Sequence, residues 1–195
     1  MRHGDSPMTG MVKHRHPVIE VPCFIMSREL QLLRHAKSDW ETDALSDFDR
    51  PLAKRGLKDA PGIGAWLLEE GLVPDLVVSS PAQRAKETAL LVCAAMDYHK
   101  KHILWHEGLY AAEVSALLDA LATCRTKPRV VMFIGHNPGM EELMRYLLGD
   151  AVETPPDGKL LPTSTLARLE MPKDWRKLAP GSAKLLGVRR PRRAD

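Results

Sequence analysis

The stretch Glu29-Leu30-Gln31-Leu32-Leu33-Arg34-His35-Ala36-Lys37-Ser38 decides how this chain is read. Apolar and polar residues alternate as in a half-buried strand, and the run stops abruptly at two basic side chains. In an open α/β sheet a strand's C-terminal end is where ligands bind, because the strand fixes a side chain that the following loop leaves accessible. Arg34 offers a planar fork of donors suited to phosphate. His35 is the side-chain type whose ordinary pKa lets it act as a neutral nucleophile or base near pH 7.

Outward from this strand the same layout recurs. Residues 75–79, Asp75-Leu76-Val77-Val78-Ser79, form a short apolar run stopped by Ser80-Pro81, as expected of a buried parallel strand. The spacing predicts a helix over 82–97 with Ala85, Ala89, Val92 and Met96 on one face. Arg84 falls in its first turn, where the helix dipole favours an anion over a cation, so an anion is expected beside it. Residues 130–134 form a second apolar strand, ended by Gly135-His136 and followed by a helix over 140–148. Between them a short strand at 103–105 leads to Glu107, and Val114, Leu117, Leu118 and Leu121 mark another amphipathic helix. Before these, Leu57, Ala60, Ile63, Gly64, Leu67 and Leu68 predict a helix capped by Gly71, with Pro61 kinking it or marking its first turn. Residues 163–170 and 184–188 read as further strands, the latter at an edge. The alternation predicts a three-layer α/β/α sandwich on a mostly parallel sheet.

If the strands are parallel, their ends bring Arg34, His35, Ser79, Ser80, Arg84, Glu107 and His136 to one rim. Histidines, arginines and a carboxylate converging there are the inventory of a phosphate pocket with its own nucleophile and proton donor.

These residues carry a resemblance. Leu33-Arg34-His35-Ala36-Lys37-Ser38, Arg50-Pro51-Leu52, the run from Val78 through Ala85 with Glu87-Thr88, and Ile134-Gly135-His136-Asn137 occur in this order over about residues 29–170. The combination resembles the histidine phosphatase superfamily, and within it the short, SixA-type phosphohistidine phosphatases. The resemblance implies a phosphoglycerate-mutase-like fold, a phosphoryl acceptor at His35, phosphate contacts from Arg34, Arg84 and His136, a weaker one from Arg50, and Glu107 as general acid. It also implies no cofactor and no metal, since guanidinium groups supply the charge that a metal supplies elsewhere. Ala36 stands where glycine is usual, a difference of one methyl group. The expected substrate is a phosphorylated protein, above all one carrying phosphohistidine. A small phosphate ester is the alternative, and a non-catalytic phosphoprotein-binding module is a third reading. Short intervals between the motifs leave little chain for a lid.

The remaining sequence narrows the field. Twenty-eight basic and 25 acidic side chains give a net charge of +3, too balanced for nucleic acid as the main partner. Three cysteines, Cys23, Cys93 and Cys124, lack the spacing of a disulfide framework or zinc site. No apolar run of about 18 residues is present to span a membrane, and the expected location is the cytoplasm. Residues 1–27, rich in Met, His and Pro, read as a poorly ordered extension. The triplet Arg2-His3-Gly4 within them follows no strand, and His14 and His16 alone make an incomplete metal site. Residues 28–188 are the expected phosphatase domain and 189–195 a basic tail.

Overall fold

Strands and helices alternate along the chain: β1 (Arg28–Arg34), α1 (Lys54–Glu69), β2 (Leu76–Ser79), α2 (Gln83–Ala95), β3 (Leu104–Trp105), α3 (Val114–Thr123), β4 (Val130–Gly135), α4 (Gly139–Leu148), β5 (Leu166–Met171) and β6 (Lys184–Arg189). The structure, a computed structural model, describes residues 27–124, 128–149, 152–153 and 155–191. The proposed extension, Ser27 apart, and Arg192 and Arg193 of the basic tail lie outside the described residues.

The six strands form one sheet in the order β3-β2-β4-β1-β5-β6. The pairs β1/β4, β2/β4 and β2/β3 are parallel, while β5 runs antiparallel to β1, and β6 to β5. Each face carries its own core. On one, Ala60, Ile63 and Leu67 of α1 and Ala85, Ala89 and Val92 of α2 pack against Leu33, Val77, Met132 and Ile134. On the other, Leu117 and Leu121 of α3 and Leu143 and Leu147 of α4 meet Leu30, Leu32, Val131 and Phe133. The architecture is the expected α/β/α sandwich. Phe133 is fully buried, and truncating it to alanine would cost on the order of 3–5 kcal/mol.

Local details depart from the sequence expectations in instructive ways. β1 lies in the sheet interior, so its alternation is not half exposed. Gln31 is completely buried and donates to the carbonyl of Leu72 at 2.9 Å and to Glu29 at 3.0 Å. α1 begins at Lys54, and its buried stripe is Gly56, Ala60, Ile63, Gly64 and Leu67, with Leu57 and Leu68 on the exposed side. Pro61 sits inside the helix, removing the N–H that would reach the carbonyl of Leu57. Gly71 ends it as expected, with positive φ and a 2.8 Å bond from the Leu72 amide to Leu67 O. Gly56 is needed for a different reason, because a Cβ there would lie 2.3 Å from the carbonyl oxygen of Lys37. Only a bare Cα lets α1 approach the segment that follows the Arg-His pair.

Register aligns the strand ends. Arg34 stands opposite Gly135, and Ser79 opposite both Ile134 and Trp105. One step further, the His35 amide bonds to Gly135 O at 3.0 Å, Ser80 to Ile134 O at 3.0 Å, and His106 to Ser79 O at 2.9 Å. The four parallel strands thus reach one rim together.

The interval between β1 and α1 is less filled by regular structure than expected. Residues 35–53 form a long connection, pinned where Ser38 bridges Leu52 and where the Gln83 amide bonds to Phe48 O at 2.9 Å. It folds back over the start of α2.

Candidate active site

His35 and His136 leave adjacent strands with ring centroids 4.9 Å apart, and both are more than nine-tenths buried. His35 Nδ1 lies 2.7 Å from the carbonyl oxygen of Ala36. A carbonyl only accepts, so Nδ1 carries the proton and Nε2 of the neutral ring keeps its lone pair. Burial, followed by the nearby His136, pushes the His35 pKa down to about 3, with Arg84 and Arg34 acting in the same direction. Burial and Arg84 hold His136 down to about 4. Near neutral pH both rings are uncharged, and His35 presents a free nucleophilic nitrogen.

The surrounding donors are arranged by the backbone. Ser80 directly follows β2, and its hydroxyl lies 2.9 Å from His136 Nε2. When Ser80 donates in that bond, the proton of His136 sits on Nδ1, a buried atom with no partner. Arg34 gives one guanidinium bond to Leu161 O at 3.1 Å, and its Nε is likewise buried and unpartnered. Arg84, held in the first turn of α2, also has an unpartnered, buried Nε. Unpaired buried donors are costly, so the Nε groups of Arg34 and Arg84, joined by His136 Nδ1 in that tautomer, suit an anion. Thr88, one turn after Arg84, accepts from the Ala36 amide at 3.0 Å and donates to Arg84 O at 2.7 Å, tying the strand end to the helix.

Arg50 and Glu107 are placed less directly: Arg50 is near enough to help lower the His136 pKa, while Glu107 does not border the cavity beside His136. Arg50 donates to Asp47 and to Ser38 Oγ at 3.1 Å, and stacks 3.5 Å over the ring of Trp40. It stands behind Asp47 on the long connection. Glu107 is exposed on a short 3-10 turn and does not line the cavity beside Arg84 and His136. That turn carries the chain round so that Tyr110 reaches the cavity instead, edge-on to His136 at 5.5 Å.

Sequence reasoning missed Asp47. Its carboxylate is 2.9 Å from Arg84, 2.9 Å from Arg50 and 3.1 Å from the Tyr110 hydroxyl, and its backbone carbonyl accepts a second bond from Arg84. Partial burial works against its ionisation, but Arg84, the Tyr110 hydroxyl and Arg50 outweigh it and hold the carboxyl below its ordinary value. Phe48 packs edge-on against Tyr110 at 5.0 Å, closing this side of the rim. The cavity there, about 650 Å³, is also bordered by Glu113 and Glu142. No signal local to the sequence marks Asp47 or Tyr110, since their contacts join segments far apart in the chain.

Among the described residues no group of three or more His, Cys, Asp or Glu is placed to hold a metal ion. No described helix is long and apolar enough to cross a membrane.

Comparison with known proteins agrees with this geometry. Residues 30–110 match the family described as histidine phosphatase superfamily (branch 1). An uncharacterized protein of Mycobacterium tuberculosis is 31% identical over 164 residues, which cover 82% of this chain and all of that protein. An uncharacterized chloroplastic protein of Arabidopsis thaliana is 32% identical over 140 residues, 68% of this chain and 64% of that longer protein. Among solved structures, the SixA protein of Agrobacterium tumefaciens, provisionally assigned as a phosphohistidine phosphatase, superposes with a TM-score of 0.72 at 28% identity, over 85% of this chain and 99% of that one.

Proposed function

This chain belongs to the histidine phosphatase superfamily, and from that premise we propose that it is a metal-independent phosphatase acting on phosphohistidine carried by a protein. The observation that carries the reading is the bare Nε2 of a neutral, buried His35 beside His136, with Arg84 and Arg34 near enough to lower its pKa and each holding a buried, unpartnered Nε.

In this reading the phosphoryl group sits among Arg34, Arg84 and His136, whose donors neutralise its oxygens. The His35 Nε2 lone pair attacks phosphorus in line, the bond from phosphorus to the substrate's imidazole nitrogen breaks, and that nitrogen takes a proton from water. Water then attacks the phosphoryl group on His35, releasing orthophosphate and restoring the neutral ring. The Nδ1 proton stays bonded to Ala36 O throughout, so the ring does not turn. An imidazole leaves readily once protonated, whereas an alkoxide needs a positioned acid. Glu107, exposed and away from the cavity, therefore has no assigned step here.

Small phosphate esters are the second reading, favoured by the Asp47, Phe48 and Tyr110 wall, which gives a compact leaving group something to touch. The experiment that separates them compares kcat/KM for a phosphohistidine peptide and for small alkyl phosphates, with a chelator present. Higher efficiency on the peptide, unaffected by the chelator, is the expected result. Equal or better efficiency on a sugar phosphate would favour the second reading, and chelator loss restored by added metal would overturn the metal-free step.

A further inference from the structure

Arg84 and Arg34 border two different cavities of opposite character. On the Arg84 side the border carries Asp47, Glu113 and Glu142. On the other side lies a second cavity of about 650 Å³, bordered by Arg34, Lys37, Arg55, Lys159 and Arg190, with Asp157 as the one carboxylate among the described residues. The cations come from separate segments: Lys37 just after the Arg-His pair, Arg55 on α1, Lys159 on the loop before β5, and Arg190 just after β6. Asp157 is taken up by Arg190, at 2.6 Å and 3.3 Å, and Arg190 is further fixed by Lys159 O at 2.8 Å. Arg55 pairs with Asp59 at 3.2 Å. Lys37 and Lys159 are exposed and form no ion pair among the described residues.

A second observation points the same way. Thr165, fully buried, borders this cavity with a hydroxyl that has no partner. Solvated surface lysines alone would leave no such orphaned donor beneath them. The cleft therefore combines two lysines outside any ion pair, Lys37 and Lys159, and two arginines held by Asp59 and Asp157 with a buried polar floor, and Arg34 belongs both to it and to the proposed phosphate site.

We propose that this cleft binds carboxylates flanking the phosphorylated residue of the substrate protein. The proposal rests on the phosphohistidine reading above and adds to it a recognition element: acidic side chains on one side of the phosphohistidine. Cations spread over four segments suit spaced carboxylates along a peptide better than one compact group. The acidic border of the cavity beside Arg84 repels the same carboxylates, so the two clefts together set the direction in which the substrate chain lies.

The test uses two phosphohistidine peptides differing only in flanking Glu or Gln residues, and para-nitrophenyl phosphate as a small ester. Each is assayed with the wild-type protein and with Lys37→Gln/Lys159→Gln. The wild type is expected to prefer the acidic peptide by about tenfold in kcat/KM, through KM, with the preference shrinking as salt rises. The double variant should lose that preference while hydrolysing the ester as the wild type does. Equal turnover of both peptides by the wild type, or a preference that survives in the variant, would overturn the cleft while leaving the phosphohistidine reading standing. Hydrolysis of the ester with neither peptide turned over would overturn that reading, and the cleft proposal with it.

Discussion

Asp47 holds Arg84 by both its carboxylate and its backbone carbonyl, so the helix-borne cation of the proposed phosphate site is already paired before any substrate arrives. The buried Nε of that guanidinium has no partner. The pairing orients Arg84, and it also sets a negative charge beside an anion site.

Asp47→Asn separates these effects, because it keeps the backbone bond and removes the charge. Orthophosphate should inhibit the variant about fivefold more strongly than the wild type, the scale expected for a half-exposed charge. Weaker inhibition would mean that orientation of Arg84 outweighs repulsion.

Arg84→Ala should lower kcat/KM by about 10²- to 10³-fold, the usual cost of losing one preorganised donor to a developing charge. Orthophosphate inhibition should weaken in parallel. An unchanged rate would remove Arg84 from the clamp.

His35 and His136 should stay neutral over the range in which ordinary imidazoles titrate, since their pKa values are lowered to about 3 and 4. In nuclear magnetic resonance titrations neither ring should change charge between about pH 5 and 8, and a midpoint near the ordinary imidazole value of about 6.5 for His35 would contradict this. Stability follows with a definite sign. Below about pH 6.5 the unfolded chain binds protons that the folded rings exclude. The contribution of these rings is therefore fully present above about pH 6.5 and declines as pH falls toward about 4. Melting temperature should fall less over that interval in His35→Gln than in the wild type.

Much of this site was legible in the sequence because its parts sit at strand ends. Arg34, His35, Ser80 and His136 follow apolar runs, and parallel pairing alone brings them to one rim. Arg84 was legible from its misfit with the helix dipole. Asp47 and Tyr110 were not, since the contact between them spans a connection without periodicity and a 3-10 turn. The same turn explains Glu107: its place after β3 is as expected, but one turn of chain points the next residues elsewhere. Gln31 shows the remaining limit, because alternation cannot tell a half-exposed strand from an interior one that buries a hydrogen-bonded amide.

Glu107→Gln should accordingly change the hydrolysis of small esters by less than about twofold. A loss of about tenfold on esters, about 1.4 kcal/mol in the barrier, with phosphohistidine hydrolysis untouched, would restore Glu107 as the general acid.

Everything proposed for this site depends on His35 itself taking the phosphoryl group, and rapid quenching of the enzyme during turnover of a ³²P-labelled substrate captures that step. The expected product is an acid-labile, alkali-stable phosphoenzyme with the label on His35, absent from His35→Ala. Label on another residue, or turnover by His35→Ala within about tenfold of the wild type, would contradict it.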